Sequence, residues 1–98
     1  PGYLILGNLA YDLLHLEEAV EHYTKACEEA SEGSRDWVTA QQMVVDTLVQ
    51  LGFRRPDEIA SRSEAVLPYL HPADEWHQTL SNYLERARNL MGGGRTLN

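Results

Sequence analysis

The sequence predicts an all-α domain of about five helices, arranged as antiparallel hairpins. Apolar residues recur at helical spacing in five segments, and no segment alternates apolar and polar residues as a strand would. The links between segments are only a few residues long, which makes consecutive helices antiparallel neighbours. Tyr3, Trp37 and Trp76 each open an apolar helical segment, and the second interval is slightly longer than the first. The interval from Tyr3 to Trp37 is that of helix-turn-helix repeats that stack into a solenoid, about 34 residues.

The first two helices are expected over about residues 3–14 and about residues 17–29, because apolar residues recur there every three or four positions. The apolar positions of the first helix are Leu6, Leu9, Ala10, Leu13 and Leu14. Those of the second helix are Leu16, Ala19, Val20, Tyr23, Ala26, Cys27 and Ala30. The second pattern is nearly unbroken, so it predicts the best-defined amphipathic helix of the chain.

The third helix is expected over about residues 35–51, after a capping side chain at Ser34 or Asp36. Gly52 follows it at the position where a left-handed residue commonly closes a helix. The predicted buried residues of this helix are Trp37, Ala40, Val44, Leu48 and Leu51. This segment therefore has a start signal, an apolar face and a stop signal.

The fourth helix is expected over about residues 57–67, directly after Pro56, and the fifth over about residues 73–91, with Asp74 near its start. A triple glycine follows, so residues 92–98 are expected to form a flexible tail. The fourth helix presents Ile59, Ala60, Ser63, Val66 and Leu67. The fifth presents Trp76, Leu80, Tyr83, Leu84, Ala87 and Leu90.

Near the start of the chain, Tyr3 is followed three positions later by Leu6-Gly7, and Ala19 is followed four positions later by Tyr23. This arrangement resembles the tetratricopeptide repeat, a hairpin of two helices with an aromatic residue, Leu-Gly and Ala-x3-aromatic at these places. Small residues at Gly7 and Ala19 would let the two helices approach closely, and the tyrosines would fill the remaining space.

The resemblance implies a single domain, residues 1–91, built as a short tetratricopeptide-like solenoid of two and a half repeats. Repeat one covers residues 1–33, repeat two covers 34–71, and a capping helix covers 72–91. The second repeat is degenerate, since Gln41 stands where the family has glycine. An end helix needs a polar outer face. The residues expected to form that face are Gln78, Asn82, Glu85, Arg86 and Asn89.

The resemblance also implies a concave groove, lined by the first helix of each pair, that binds a peptide or helix of another protein. Groove positions follow the opening aromatics at fixed offsets and form a polar, an apolar and an acidic row. The polar row is Asn8, Gln42 and Ser81; the apolar row is Tyr11, Val45 and Leu84; the acidic row is Asp12, Asp46 and Glu85. Three carboxylates at equivalent places predict a basic ligand, bound by charge-assisted hydrogen bonds.

Some members of the family bind a C-terminal carboxylate through a clamp of basic residues and asparagines. Asn8 fits one clamp position. Leu4 occupies a place where such a clamp has lysine, and His77 and Ser81 occupy the equivalent places of the third segment. We therefore do not expect the groove to bind an acidic C-terminus. His77 is still expected to line the groove.

Fifteen acidic and eight basic residues give a formal charge of −7, which would repel a nucleic-acid backbone. The same charge favours a basic protein partner or serves solubility. No apolar run is long enough to predict insertion into a membrane. The single cysteine, Cys27, cannot form an internal disulfide, which suits a reducing compartment such as the cytoplasm.

Two other functions remain open at this point. His15, Glu18 and His22 have the spacing of metal ligands on one face of a continuous helix, which would suit a helical-bundle metal protein. A solenoid of two and a half repeats also leaves stacking surface uncovered, which would suit self-association into a homo-oligomer. No phosphate loop, nucleophile elbow or cysteine pair occurs, so we expect neither an enzyme nor a cofactor.

Overall fold

The computed structural model describes residues 2–92, and this part of the chain is all-helical, with five α-helices and no strand. The helices are α1 (Gly2–Asp12), α2 (Leu16–Glu29), α3 (Arg35–Gln50), α4 (Pro56–Val66) and α5 (Glu75–Gly92). A short 3-10 helix, Leu67–Tyr69, extends α4. Each α-helix packs against the next one in the chain, and α3 also contacts both α1 and α5. The all-α class and the number of helices are therefore confirmed.

The hairpin of α1 and α2 is closely packed because Gly7 lies against the ring of Tyr23. A methyl group at Gly7 would lie 2.6 Å from two carbons of that ring. Tyr23 is completely buried, and its hydroxyl donates a hydrogen bond of 2.5 Å to Asn8 Oδ1 on α1. Ala19, one turn earlier on α2, is also completely buried. The small residues expected to allow close approach thus lie in the packed contact.

Helix α3 crosses the centre of the molecule and is buried along most of its length. Ser34 caps its start, since the Ser34 Oγ accepts a hydrogen bond of 3.2 Å from the Trp37 N–H. Gly52 follows its end with a left-handed φ of 94°, as expected for a closing glycine. Both local signals are confirmed. The core residues of α3 with no exposed surface are Ala40, Val44, Val45, Thr47 and Leu48.

Helix α4 is tied to α3 by a buried polar contact at Gln41. The Arg62 Nη1 donates a hydrogen bond of 2.8 Å to Gln41 Oε1, and its Nε donates one of 2.7 Å to Glu58 Oε2. Gln41 is buried, and its amide oxygen is satisfied by a side chain of the neighbouring helix. The expected inward residues Ile59, Ala60, Ser63 and Val66 are buried.

Helix α5 begins at Glu75, two residues later than expected, because Asp74 caps it. The Asp74 Oδ1 accepts a hydrogen bond of 2.8 Å from the Trp76 N–H. Gly92, expected to begin the tail, is the last residue of α5, and the remaining tail residues, 93–98, lie outside the described residues. The five polar residues expected on the outer side of α5 are all exposed.

Helix α1 differs most from the expectation. It ends at Asp12, and the predicted apolar positions Leu6, Leu9, Leu13 and Leu14 are exposed; only Ala10 of that set is buried. The side of α1 that packs on the core carries Tyr3, Leu4, Gly7, Ala10 and Tyr11. Because apolar or small residues cover most of the circumference of α1, with Asn8 the one amide before Asp12, its periodicity did not reveal which side faces the core.

The turn after α1 places a leucine in a left-handed conformation. The Leu14 N–H bonds to Tyr11 O and the His15 N–H bonds to Ala10 O, which is the Schellman pattern. Leu14 takes the left-handed position of that motif, with φ 64°, where glycine is the favoured residue.

We expect Leu14→Gly to be more stable than Leu14→Ala by about 1 kcal/mol, because only glycine adopts this backbone without steric cost. Both substitutions remove the exposed isobutyl group of Leu14. The difference between their free energies of unfolding therefore measures mainly the cost of the left-handed backbone. Urea unfolding at one protein concentration measures it. A glycine variant no more stable than the alanine variant would contradict the conformational cost assigned to Leu14.

Candidate functional site: a binding face centred on Asp46

The side chain of Asp46 on α3 joins three helices. The Tyr11 hydroxyl of α1 donates a hydrogen bond of 2.7 Å to Asp46 Oδ2, and the Gln50 amide of α3 donates one of 3.0 Å to the same oxygen. The Tyr83 hydroxyl of α5 lies 3.5 Å from Asp46 Oδ1. Gln50 also donates to the Tyr11 oxygen. We call these four residues the Asp46 cluster; they bring α1, α3 and α5 together on one face.

The donors to Asp46 are neutral groups that remain protonated. Burial, reinforced by the neighbouring Asp46 carboxylate, raises the pKa of both Tyr11 and Tyr83 above the ordinary value of 10.0. Both hydroxyls therefore act as hydrogen-bond donors at neutral pH. Among residues 2–92, no salt bridge includes Asp46. The half-buried carboxylate is oriented by dipoles, and no cation within this part of the chain pairs with it.

Tyr83 is held in place by Phe53, which lies in the turn between α3 and α4. The two rings meet edge to face, with centroids 6.0 Å apart and planes at 86°. The Arg86 guanidinium lies 4.9 Å from the centroid of the Phe53 ring. This cation–π contact places one positive group beside the aromatic rings. The chain's own Arg86 and Tyr83 thus contact the Phe53 ring, and Tyr83 connects this aromatic pair to the Asp46 carboxylate.

Asn8 lies beside the cluster on α1. Its Oδ1 accepts the hydrogen bond of Tyr23, whose pKa is raised to about 12, first by burial and then by the charges of Tyr11, Asp12 and Asp46. Asn8 itself is exposed, so its amide N–H groups can face a ligand while its oxygen is occupied. Asn8, three positions before Tyr11 on the same helix, therefore extends the face formed by the cluster.

The ten residues expected in the groove divide into three groups. Asn8, Tyr11, Asp12, Asp46 and Glu85 are exposed or half-buried. His77 and Ser81 are half-buried on α5, where the Ser81 hydroxyl donates to the His77 backbone carbonyl at 2.7 Å. The last three residues are a correction, because they lie in the interior: Gln42, Val45 and Leu84. No open apolar row exists among them, since helix packing covers Val45 and Leu84.

Three residues of this face were not foreseen from the sequence as binding residues: Gln50, Phe53 and Tyr83. Gln50 follows Asp46 by four positions, and that spacing places two side chains side by side on a helix. Tyr83 belonged to the apolar pattern of its helix, which indicated the core. Its ring is indeed half-buried, but its hydroxyl extends to Asp46. Only the packing of α5 on α3 reveals that contact.

The possible metal site on α2 is not supported. Glu18 lies between the two histidines, 3.6 Å from His15 Nδ1 and 3.5 Å from His22 Nε2. However, residues 2–92 contain no group of three or more histidine, cysteine, aspartate or glutamate side chains arranged to hold a metal ion. The ring of His22 instead stacks beside that of Tyr3, with centroids 6.3 Å apart. These side chains therefore form a network on the surface of α2.

Two further features of the sequence have a simple structural counterpart. Cys27 is buried, and burial raises the pKa of its thiol to about 11, so it is a packed and unreactive group, as expected. Within the described residues, none of the helices has the length and apolar character needed to cross a bilayer.

Comparisons of the chain with protein-family models, curated proteins and solved structures found no match.

Proposed function

We propose that the chain is a tetratricopeptide-like module that binds a basic segment of another protein across α1, α3 and α5. It would act as an adaptor or scaffold in the cytoplasm, with no catalytic activity of its own. The observation that carries the proposal is the state of Asp46. Its half-buried carboxylate is bonded by neutral donors from three helices, and none of the salt bridges among residues 2–92 includes it.

The chemistry of the Asp46 cluster favours a cationic ligand. Neutral hydrogen bonds orient a carboxylate but leave its negative charge in place, so a lysine or arginine side chain still gains a charge-assisted bond. Asp12 and Glu85 are exposed and also absent from the salt bridges of residues 2–92. The overall charge of −7 would draw a basic partner towards this face.

The packing of the helices supports the repeat arrangement. Gly7 and Tyr23, two residues of the family pattern, are in contact between α1 and α2. The first helices of successive hairpins, α1, α3 and α5, are neighbours, as stacking of repeats requires. The outer side of α5 is polar, which suits a capping helix. The proposed limits of the repeats, at residues 33 and 71, fall between α2 and α3 and between the 3-10 helix and α5.

The proposal is tested with a fluorescent peptide that alternates arginine with alanine, titrated with the protein and followed by anisotropy. We expect binding that weakens with salt. Combining Asp12→Asn, Asp46→Asn and Glu85→Gln should weaken it at least about tenfold, because a charge-assisted hydrogen bond contributes about 1.5–3 kcal/mol. Asparagine at position 46 can still accept from Tyr11, and circular dichroism checks that the fold is retained.

The matched control is a second triple variant, Glu21→Gln, Glu28→Gln and Glu29→Gln, which removes the same charge from exposed positions of α2. Its affinity should stay within about threefold of the wild type, since exposed charges contribute mainly through the screened overall field. An equal loss of affinity in both triple variants would mean that the peptide responds to the net charge of the protein and not to the Asp46 face. Unchanged affinity in the first variant, or no binding by the wild type, would reject the Asp46 face.

A further inference from the structure

The exposed side of α1 is an uncovered apolar surface. Of the eight large apolar residues exposed within residues 2–92, five lie on α1 or in the turn after it. Their exposed fractions are Ile5 59%, Leu6 44%, Leu9 55%, Leu13 64% and Leu14 75%. We call these five residues the α1 stripe. A helix that is apolar around most of its circumference normally lies inside a protein, yet this one has an apolar side in water.

The α1 stripe has the spacing of a helix-pairing seam. Leu6, Leu9 and Leu13, the last in the turn directly after α1, follow one another at intervals of three and four positions, which is the a-d-a spacing of a two-helix contact. The opposite side of α1 is already occupied by α2 and the core. A partner for the stripe therefore has to come from outside the hairpin, and it has to be apolar.

We propose that the α1 stripe is a homodimer interface in which α1 of one copy pairs with α1 of a second copy in antiparallel orientation. Residues 2–11 of α1 carry no charge, so two copies can approach without burying an unpaired ion. Its charged residue, Asp12, lies at the carboxyl end of the helix. A parallel pair would bring the two Asp12 side chains together, whereas an antiparallel pair centred on Leu9 places them on opposite sides of that centre, about 9 Å apart along the helix axis.

The area of the stripe fits a weak but specific dimer. Five aliphatic side chains exposed to these degrees present roughly 500 Å² of apolar surface per copy. With the polar rim that surrounds such a patch, two copies bury about 1,200 Å², the lower end of specific protein interfaces. We therefore expect a dissociation constant of roughly 1–100 µM. The outer side of α5 carries mostly polar residues, with Leu90 and Met91 as its exposed large apolar side chains, so it offers no comparable surface for this pairing.

Light scattering after size exclusion, from about 10 µM to 1 mM protein, tests the dimer. The mass of the wild type should rise with concentration from the monomer value of 11.1 kDa towards twice that value. Leu9→Lys and Leu9→Glu should each remain monomeric, because a charge would be buried at the centre of the stripe. Leu90→Glu, at an exposed leucine of α5, is the matched control and should dimerise like the wild type.

Mixing the two Leu9 variants tests the symmetry of the pairing. In an isologous antiparallel pair the central residue lies next to its own copy, so Leu9→Lys mixed with Leu9→Glu should restore a dimer of about 22 kDa. A wild type that stays monomeric at 1 mM overturns the proposal. A dimer that survives both single Leu9 substitutions, or a mixture that remains monomeric, overturns the antiparallel α1 pairing.

Discussion

Ala19→Phe is expected to abolish cooperative folding of this protein. Ala19 has no exposed surface and lies on α2 one turn from Tyr23, whose ring already touches Gly7. A benzyl group there has no free space, and the rings and helices around it would have to separate. Inserting even a few methylene groups into a packed core costs about 1–3 kcal/mol. A whole phenyl ring should cost more than about 3 kcal/mol, a large part of the 5–15 kcal/mol typical of a domain.

Thermal unfolding followed by circular dichroism measures this effect, with an expected fall in Tm of more than about 12 °C or the loss of a cooperative transition. Glu21→Phe is the matched control, because it introduces the same side chain at an exposed position of α2. Its Tm should change by no more than a few degrees. A melting temperature of Ala19→Phe equal to that of the wild type would mean that Ala19 does not lie in a close helix contact.

Leu48→Ala is expected to lower the free energy of unfolding by about 2–5 kcal/mol, the range for truncating a buried leucine. Leu48 is completely buried on α3, the helix that contacts all four others, so the cavity would form where the rest of the core converges. This loss has two parts. The removed carbon atoms no longer contribute the free energy of leaving water, and the surrounding side chains close only part of the cavity that remains.

Urea unfolding measures the difference, and Leu90→Ala provides the comparison because it removes the same atoms from a residue that is 56% exposed. Leu90→Ala should change stability by less than about 0.5 kcal/mol. Similar losses in the two variants would show that burial in α3 is not the source of the effect. A Leu48→Ala variant as stable as the wild type would place the centre of the core elsewhere.

Much of the helical structure could be predicted because its signals are local. The Ser34 cap, the Asp74 cap and the left-handed Gly52 each act within one turn of a helix end. The helix limits accordingly differ from the expectation by at most two residues. Amphipathic helices such as α2 also revealed their inner side, since Ala19 and Tyr23 lie in the core as their spacing indicated.

The inner side of α1 could not be predicted, and the reason is physical. Periodicity locates a buried side by contrast with a polar one, and α1 has almost no polar contrast before Asp12. The apolar pattern indicated Leu6, Leu9 and Leu13 together with Ala10, whereas packing buries only Ala10 of these and places it beside Gly7, whose small size allows α2 to approach. The leucines that packing leaves exposed to solvent belong to the α1 stripe.

The residues of the proposed binding face were likewise predicted only in part. The interval from Tyr3 to Trp37 placed Asp46 among the candidate residues, together with Asn8 and Tyr11. The same offsets also predicted Val45 and Leu84 as groove residues, but both are buried. A fixed offset in the sequence does not take into account how each helix is rotated against its neighbours. The hydroxyl of Tyr83 reaches Asp46 only because α5 packs beside α3.

The sequence by itself therefore determined the all-α class, the five helices and, to within two residues, where each begins and ends. These properties depend on backbone hydrogen bonds and on side chains within about one helical turn of each other. Only the tertiary structure decided that Tyr11, Asp46 and Tyr83 meet and that the leucines of α1 remain in water. Contacts between residues far apart in the sequence depend on how each helix is rotated and crossed against its neighbours, and small residues such as Gly7 set that geometry.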